Sequence, residues 1–475
     1  MSEESGATEV AVLGGGPGGY AAAFRAADLG KRVALIDEGE NPGGVCLYRG
    51  CIPSKALLHV AKVIAESREA AAWGVEFPDP KIDLNRMRAW KEDIVTKLTA
   101  GVGQLSKARG VRFVRGRGKF LDARTLRVER SAGGQEDIPF ERAVVAAGSR
   151  PFIPPGLSLE SDRLMDSTSA LALKDAPESL LVVGGGYIGL ELGSVYAALG
   201  ARVTVVEMTG GLLPGADRDM VNILAKRLGK TLHAVLLNTK VAEMKAVKGG
   251  IQARIEGEGS GPAEAVFEKI LVAVGRKPNS GGLGLENTKV EIDEKGFIKT
   301  DAQRRTAEGN IFAIGDVAGE PMLAHKATHE GRVAAEAIAG AKAAFEPAAI
   351  PAVVFTNPEI AWCGLTETAA KAEKIPVKVA RFPWAASGRA QTLGQSDGVT
   401  KLVIDPETER VLGVGICGSG AGELIAEGVL AVEMAALAAD VGLSIHPHPT
   451  LSETLMESAD VFFGTSTHVY RPKRR

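Results

Sequence analysis

Two cysteines separated by four residues, Cys46 and Cys51, are the most reactive groups in this chain. They lie in the run Gly43-Gly44-Val45-Cys46-Leu47-Tyr48-Arg49-Gly50-Cys51-Ile52-Pro53-Ser54-Lys55. In a regular helix, positions five apart are roughly 8–9 Å apart, beyond the Cα separation that a disulfide spans. The segment must therefore be distorted, and Gly50 permits it. Thiols at the start of a helix, beside Lys55 and Arg49, have their thiolates stabilised, which favours thiol–disulfide exchange. A metal site is the weaker reading, because no His or further Cys stands close by in sequence. The other two cysteines, Cys363 and Cys417, are too scattered for a secreted disulfide framework.

Chemistry of this kind needs an electron acceptor, and the sequence supplies two cradles for one. Gly14, Gly16 and Gly19 have GxGxxG spacing between an apolar strand ending near Gly14 and a helix to about Leu29; a second strand, Val33–Ile36, ends on Asp37. Missing side chains at those positions allow a tight turn, close approach of a pyrophosphate to a helix N-terminus, and close helix–strand packing. Asp37 stands 18 residues past Gly19, where it can accept a ribose hydroxyl. Gly184, Gly186 and Gly189 repeat the device, with Glu207 again 18 residues beyond the last glycine. Two copies imply two dinucleotides, one FAD and one nicotinamide. Glu207 suits a free 2′-hydroxyl, and neither Met208 nor Thr209 offers a cation for a 2′-phosphate, so NAD is expected over NADP.

The elements between these motifs fall into an α/β order. At 475 residues several domains are expected. Short apolar strands at Ala143–Gly148 and Leu271–Gly275 close the two nucleotide units. Pro151, Pro154 and Pro155 mark one boundary, and Pro278 with Gly281, Gly282 and Gly284 another. We expect a first dinucleotide unit over 1–150, a second over 151–279, a central unit over 280–346 that completes the FAD site, and a C-terminal α+β unit over 347–475 with an Ala-rich helix around Leu424–Ala438.

The whole CxxxxC-IPSK stretch, the two glycine units and the terminal His446-Pro447-His448-Pro449-Thr450 resemble the class I pyridine nucleotide–disulfide oxidoreductases, from about Glu9 to Gly464. Within that family the likeness is to the branch that reoxidises dihydrolipoyl groups. The resemblance implies two Rossmann-like domains with a dimerisation domain, and FAD and NAD as cofactors. It implies a homodimer serving the lipoyl-bearing acyltransferase core of a 2-oxo acid dehydrogenase complex, or a lipoyl carrier protein of the glycine cleavage system.

The same resemblance assigns roles. Cys46 faces the substrate and Cys51 the flavin; His448, reaching over from the second subunit, is the general base and Glu453 orients its ring. A base with a pKa near neutrality suits that task. Lys55 and Glu191 pair beside the flavin. Gly118, Asp316 and Ala324 join the first glycine motif in the FAD site, and Val241 and Gly275 join the second in the NAD site. Thr450-x-x-Glu453 also reads as a capping box that starts the last helix, and His446 as structural. The family has Asn and Val where this chain has Tyr48 and Arg49, a departure that bears on redox potential and on access to the cysteines. Glutathione reductase would want a cation-lined site after Val206, and mercuric reductase a second cysteine pair near the end of the chain.

Composition narrows the rest. A net charge of −2, with the only basic cluster at Arg471, Lys473, Arg474 and Arg475, gives no attraction to nucleic acid. No apolar run approaches the ~20 residues that cross a bilayer. The acidic start MSEESGATEV lacks a signal or transit pattern, so a cytoplasmic location is expected.

Overall fold

The computed structural model describes residues 8–258 and 263–470; the basic cluster from Arg471 to Arg475 lies outside the described residues. Strand β1 (Thr8–Leu13) runs into helix α1 (Pro17–Asp28) and returns as strand β2 (Val33–Asp37). β1 is central in a parallel sheet: Val10 pairs with Val33 on one side and with Arg142 of Gln135–Val145 on the other. Strand Arg112–Asp122 extends the sheet beyond β2, and the distant strand Ile311–Ala313 completes it beyond Gln135–Val145. All the residues of β1 from Val10 to Leu13 are buried, as strands covered on both faces must be.

The second glycine unit copies the first. Strand Ser179–Val183 leads into helix Tyr187–Ala198 and back through Arg202–Val206, with Leu180 opposite Val203. This sheet is parallel throughout, in the order Ala234–Leu236, Arg202–Val206, Ser179–Val183, Lys269–Val272, Leu164–Met165. The two units are joined by neighbouring crossovers, since Ser149–Pro151 and Arg276–Pro278 pair antiparallel. The chain thus leaves and re-enters the first unit at one place, close to its glycine turn.

The C-terminal part is a five-stranded antiparallel sheet, Ala352–Val354, Glu359–Gly364, Val411–Gly418, Val399–Ile404 and Lys378–Pro383, with its own core around Trp384, Phe382 and Ile416. The Ala-rich helix differs from the expectation: it runs Ala421–Glu433, and a separate short helix covers Ala438–Leu443. Between them Ala435 adopts φ +53°, because Leu437 leaves the helix to bridge Arg410. Among the described residues no helix is long and apolar enough to cross a membrane.

Candidate active site

The two glycine turns share their main backbone contacts. Gly14 and Gly184 have φ +110° and +111°, a region open to glycine, and each donates its N–H over 2.8 Å to the strand that follows its helix, at Ile36 and Val206. A Cβ on Gly14 would lie 2.2 Å from the Ala146 carbonyl oxygen, and on Gly184 2.5 Å from that of Ala273. Gly19 and Gly189 are barred from side chains by the Gly14 and Gly184 carbonyls. Gly16 and Gly186 cap their helices without any side-chain hydrogen bond, leaving the first N–H groups directed outwards. Asp37 takes the Gly15 N–H at 2.6 Å and Glu207 the Gly185 N–H at 2.7 Å. Each acid therefore braces its own turn and retains lone pairs for a ribose. Arg218, in the helix that follows, is engaged by the carbonyls of Leu212, Leu213 and Ala216.

The first turn opens into a cavity of about 700 Å³ that reaches from Asp37 past Gly14–Gly19 to Cys46, Cys51, Lys55, Glu191, Asp316 and Ala324. Helix α2 (Gly44–Arg49) carries Cys46, and helix α3 (Cys51–Glu69) begins on Cys51. Gly50 breaks the two apart with φ −142° and ψ −111°, and a Cβ there would meet the Val45 carbonyl at 2.8 Å. That is the distortion which the five-residue spacing demands, and it brings the two thiols close enough for each to shift the ionisation of the other. Both cysteines are free thiols; Cys51 opens onto the cavity and Cys46 is half-buried.

The pair is electrically unequal. The hydrogen bond from Cys46 is the main cause bringing Cys51 down to about 7; protein around the cavity opposes the shift and the Lys55 charge adds to it. Cys46 is pushed up for the complementary reasons: it donates to Cys51, it is desolvated, and it faces its neighbour's negative charge. Lys55 itself is held by Glu191, with Nζ 2.9 Å from Oε2. Glu191 is buried within the helix of the second glycine unit, where it also accepts from Ser54 Oγ at 3.2 Å and from the Phe355 N–H at 3.0 Å. One carboxylate thereby ties the redox helix to the second nucleotide unit and to the C-terminal part.

Several residues here have no signature in the sequence. Ser149 donates to Asp316 Oδ2 at 2.5 Å while Arg276 Nε donates to Ser149 Oγ at 2.7 Å, so the Asp316 carboxylate is aimed by a chain from the crossover. The turn that carries Asp316 is held by Glu330, which is fully buried, accepts the Gly315 N–H at 2.6 Å, and pairs with Lys326 at 2.9 Å and Arg304 at 2.5 Å. Tyr187 lines the cavity with its phenol pushed up to about 12, burial being the main cause. Tyr48 turns back from the cysteines, and its hydroxyl exchanges 3.0 Å hydrogen bonds with the Asn41 backbone.

Three further residues expected to bind cofactors, Gly118 for FAD and Val241 and Gly275 for NAD, do not line this cavity. Gly118 lies in the strand Arg112–Asp122, outside the cavity wall, where Leu13 Cδ1 is 2.7 Å from the place of a Cβ. Val241 is buried in the core behind the second glycine unit, beside Val206. Gly275, at φ +141°, leads the chain into the crossover strand.

His448 and Glu453 form a separate dyad, with Nδ1 2.9 Å from Oε1, and neither lines the cavity of the cysteines. The imidazole is 74% exposed, pointing its free nitrogen outwards. Although desolvation raises it, Glu453 is lowered on balance by the Thr450 N–H and by His448. The capping box is only half formed: Glu453 accepts the Thr450 N–H at 2.7 Å, but the Thr450 hydroxyl donates to Pro447 and the helix starts at Glu453 itself. His446 is engaged on both nitrogens, by the Ser444 carbonyl and Glu427, each at 2.8 Å.

The sequence profile of the pyridine nucleotide-disulphide oxidoreductases matches residues 8–331, and that of their dimerisation domain residues 350–459. The chain belongs to this family. The oxidoreductase is 50% identical over 474 residues to a dihydrolipoyl dehydrogenase of Vibrio parahaemolyticus, covering 100% of this chain and 99% of that one. It is 48% identical over 468 residues to one of Haemophilus influenzae, covering 98% of each. Among solved structures, LpdA from Mycobacterium tuberculosis superposes with a TM-score of 0.88 at 27% identity, covering 95% of this chain and 99% of that one. The flavoprotein disulfide reductase RclA from Escherichia coli superposes with a TM-score of 0.85 at 27% identity, covering 96% and 99%. The family's cofactors are FAD and NAD, and the oxidoreductase has a cradle that fits each.

Proposed function

We propose that the oxidoreductase is a dihydrolipoyl dehydrogenase, which oxidises protein-borne dihydrolipoyl groups with NAD through Cys46 and Cys51, as a homodimer. The observation that carries this reading is the unequal cysteine pair at the Gly50 break, sharing one cavity with a dinucleotide cradle and the Lys55–Glu191 pair.

In the oxidised enzyme Cys46 and Cys51 form a disulfide. His448 of a second copy takes the proton from one substrate thiol, and the thiolate attacks Cys46 Sγ. A substrate–Cys46 bond forms, the Cys46–Cys51 bond breaks, and Cys51 leaves as a thiolate. That leaving group is the thiol this site holds ionised, with Lys55 beside it. The second substrate thiol then attacks the substrate sulfur bound to Cys46, closing the cyclic disulfide and releasing Cys46, to which the proton of that second thiol passes. The dithiol has lost an electron pair to the two cysteines. FAD held by Gly14–Gly19, Asp37, Asp316 and Ala324, and NAD held by Gly184–Gly189 and Glu207, would supply the acceptors for that pair.

His448 needs a second copy because its dyad stands apart from the cysteines in one chain, and the segment just before it exposes Leu443 and Ile445. Apolar surface of that kind, in the segment matched by a dimerisation profile, favours burial against another chain. The partners of the dimer are dihydrolipoyl groups presented by the acyltransferase core of a 2-oxo acid dehydrogenase complex or by a lipoyl carrier protein.

The test is a steady-state assay of dihydrolipoamide with NAD and with NADP, alongside glutathione disulfide with either reduced nicotinamide. Turnover of dihydrolipoamide with NAD, at least about 100-fold better than the other pairs, is expected. A preference for glutathione disulfide, or for NADP, overturns the assignment.

A further inference from the structure

The Lys55–Glu191 pair has a third member. Phe355 belongs to the C-terminal part, in the turn between strands Ala352–Val354 and Glu359–Gly364. Its backbone N–H donates to Glu191 Oε1 at 3.0 Å, and the Lys55 ammonium lies over its ring, with Nζ 4.5 Å from the centroid. One residue thus touches both charges, the carboxylate through an amide and the ammonium through the negative face of a ring. Phe355 does not line the cavity that Lys55 lines, so it meets Lys55 from the protein side. The ring is itself backed: a Cβ on Gly422, in the first turn of helix Ala421–Glu433, would stand 3.4 Å from Phe355 Cε1. Lys55 ends a flexible four-carbon stem, one turn after Cys51 on the same helix face. Glu191 gives the end of that stem one contact, and the ring gives it a second.

We infer that Phe355 is a positioning residue of the redox site: its ring holds the Lys55 ammonium where that charge acts on Cys51. This rests on the reading in which Cys51 is the redox thiolate and deepens it, whichever dithiol reduces the pair. The groups that act on Cys51 or feel its charge are Cys46 from α2, Lys55 from its own helix, Glu191 from the second glycine unit, and the phenols of Tyr20 and Tyr187. Lys55 is the one cation among them, and it lowers the thiol while Glu191 raises it. A Lys55 that swings off the ring therefore leaves Cys51 with less of the charge that favours its thiolate and all of the charge that opposes it. The C-terminal part thereby acts on the redox centre of its own chain.

The experiment records the thiolate-to-flavin absorption band against pH in the FAD-loaded dimer after anaerobic reduction of the cysteine pair. Wild type, Phe355→Leu and Phe355→Tyr are compared, each with Lys55 in place and with Lys55→Met. Leucine keeps the amide to Glu191 and removes the ring; tyrosine keeps both. Phe355→Leu should raise the inflection above about 7, leaving about two- to threefold less thiolate at about pH 6, and Phe355→Tyr should leave it in place. In the Lys55→Met enzyme, Phe355→Leu should add no shift, because the charge that the ring holds is gone. Trifluorophenylalanine at position 355 keeps the shape of the ring and drains its negative face. It should shift the inflection in the same direction as leucine, and it serves where the leucine variant folds poorly or loses FAD. An inflection unmoved by leucine and by trifluorophenylalanine, a tyrosine variant that shifts like leucine, or a shift of the same size without Lys55 would each overturn the inference. A wild type with no such band at any pH would instead contradict the redox reading of Cys51, and this inference with it.

Discussion

Lys55 and Glu191, 136 residues apart, meet at 2.9 Å beside the redox cysteines. Their effects on Cys51 have opposite signs: the Lys55 charge lowers the thiol and the Glu191 charge raises it. Replacing Lys55 with Met should raise the Cys51 pKa above about 7, and Glu191→Gln should lower it. Each unit of upward shift costs about tenfold in thiolate at a pH below the pKa. Alkylation rates of the reduced enzyme against pH would read both inflections. Shifts in the same direction would show that the pair acts through structure and not through charge.

Cys46 acts on Cys51 chiefly as a hydrogen-bond donor. Cys46→Ser keeps a donor at that place, whereas Cys46→Ala removes it. The serine variant should therefore keep the Cys51 inflection close to about 7, and the alanine variant should move it towards the ordinary cysteine range. Between those two values the native thiol is ionised and an ordinary one is not, so the difference is largest near pH 8. Thiolate ultraviolet absorbance during a pH titration measures it; identical curves for the two variants would contradict this account.

If His448 acts across a dimer, two dead variants can restore each other. In a mixed dimer of Cys51→Ser and His448→Gln chains, one site combines both lesions and the other has neither. Mixed dimers isolated with two affinity tags should recover about half of the wild-type kcat, while each homodimer stays at least about 100-fold down. Inactive mixed dimers would place the base and the cysteines in the same chain.

Glu330 is buried with two cations and one backbone N–H on its carboxylate. Glu330→Gln leaves Lys326, itself buried, facing an uncharged amide. A loss of about 3–5 kcal/mol is expected, because an ion pair broken from one side strands a charge. Urea unfolding of the FAD-loaded dimer should show it, with FAD released earlier than in the wild type as the Asp316 turn loosens. A change below about 1 kcal/mol would mean that the network is not what holds the turn.

The features legible in the sequence are those set by local sterics. The glycine turns must be glycine because backbone oxygens occupy the space of a Cβ at Gly14 and Gly19, and the same contacts recur at Gly184 and Gly189. The CxxxxC spacing forces a broken helix, and Gly50 is where it breaks. What escaped was long-range. Nothing near Ser149 or Arg276 indicates that they aim Asp316, since the crossover strands that join them are distant in sequence. Glu330 reads as an ordinary helix acid until its helix is packed against the first unit. Thr450 keeps a capping spacing but donates its hydroxyl to Pro447, and the helix begins two residues later than that cap would start it. Tyr48 and Arg49, which left both potential and access open, are divided by the structure: the Tyr48 hydroxyl is bound to Asn41, and Lys55 supplies the charge that acts on the thiols.

In the proposed mechanism Cys51 is the thiolate through which the electron pair meets the bound flavin. Anaerobic addition of one equivalent of NADH to the FAD-loaded enzyme, with the visible spectrum recorded, tests it most directly. A long-wavelength absorption band from thiolate to flavin should appear in the wild type, fade as the pH drops below about 7, and be absent in Cys51→Ser. No band in the wild type, or an undiminished band in Cys51→Ser, would contradict the account.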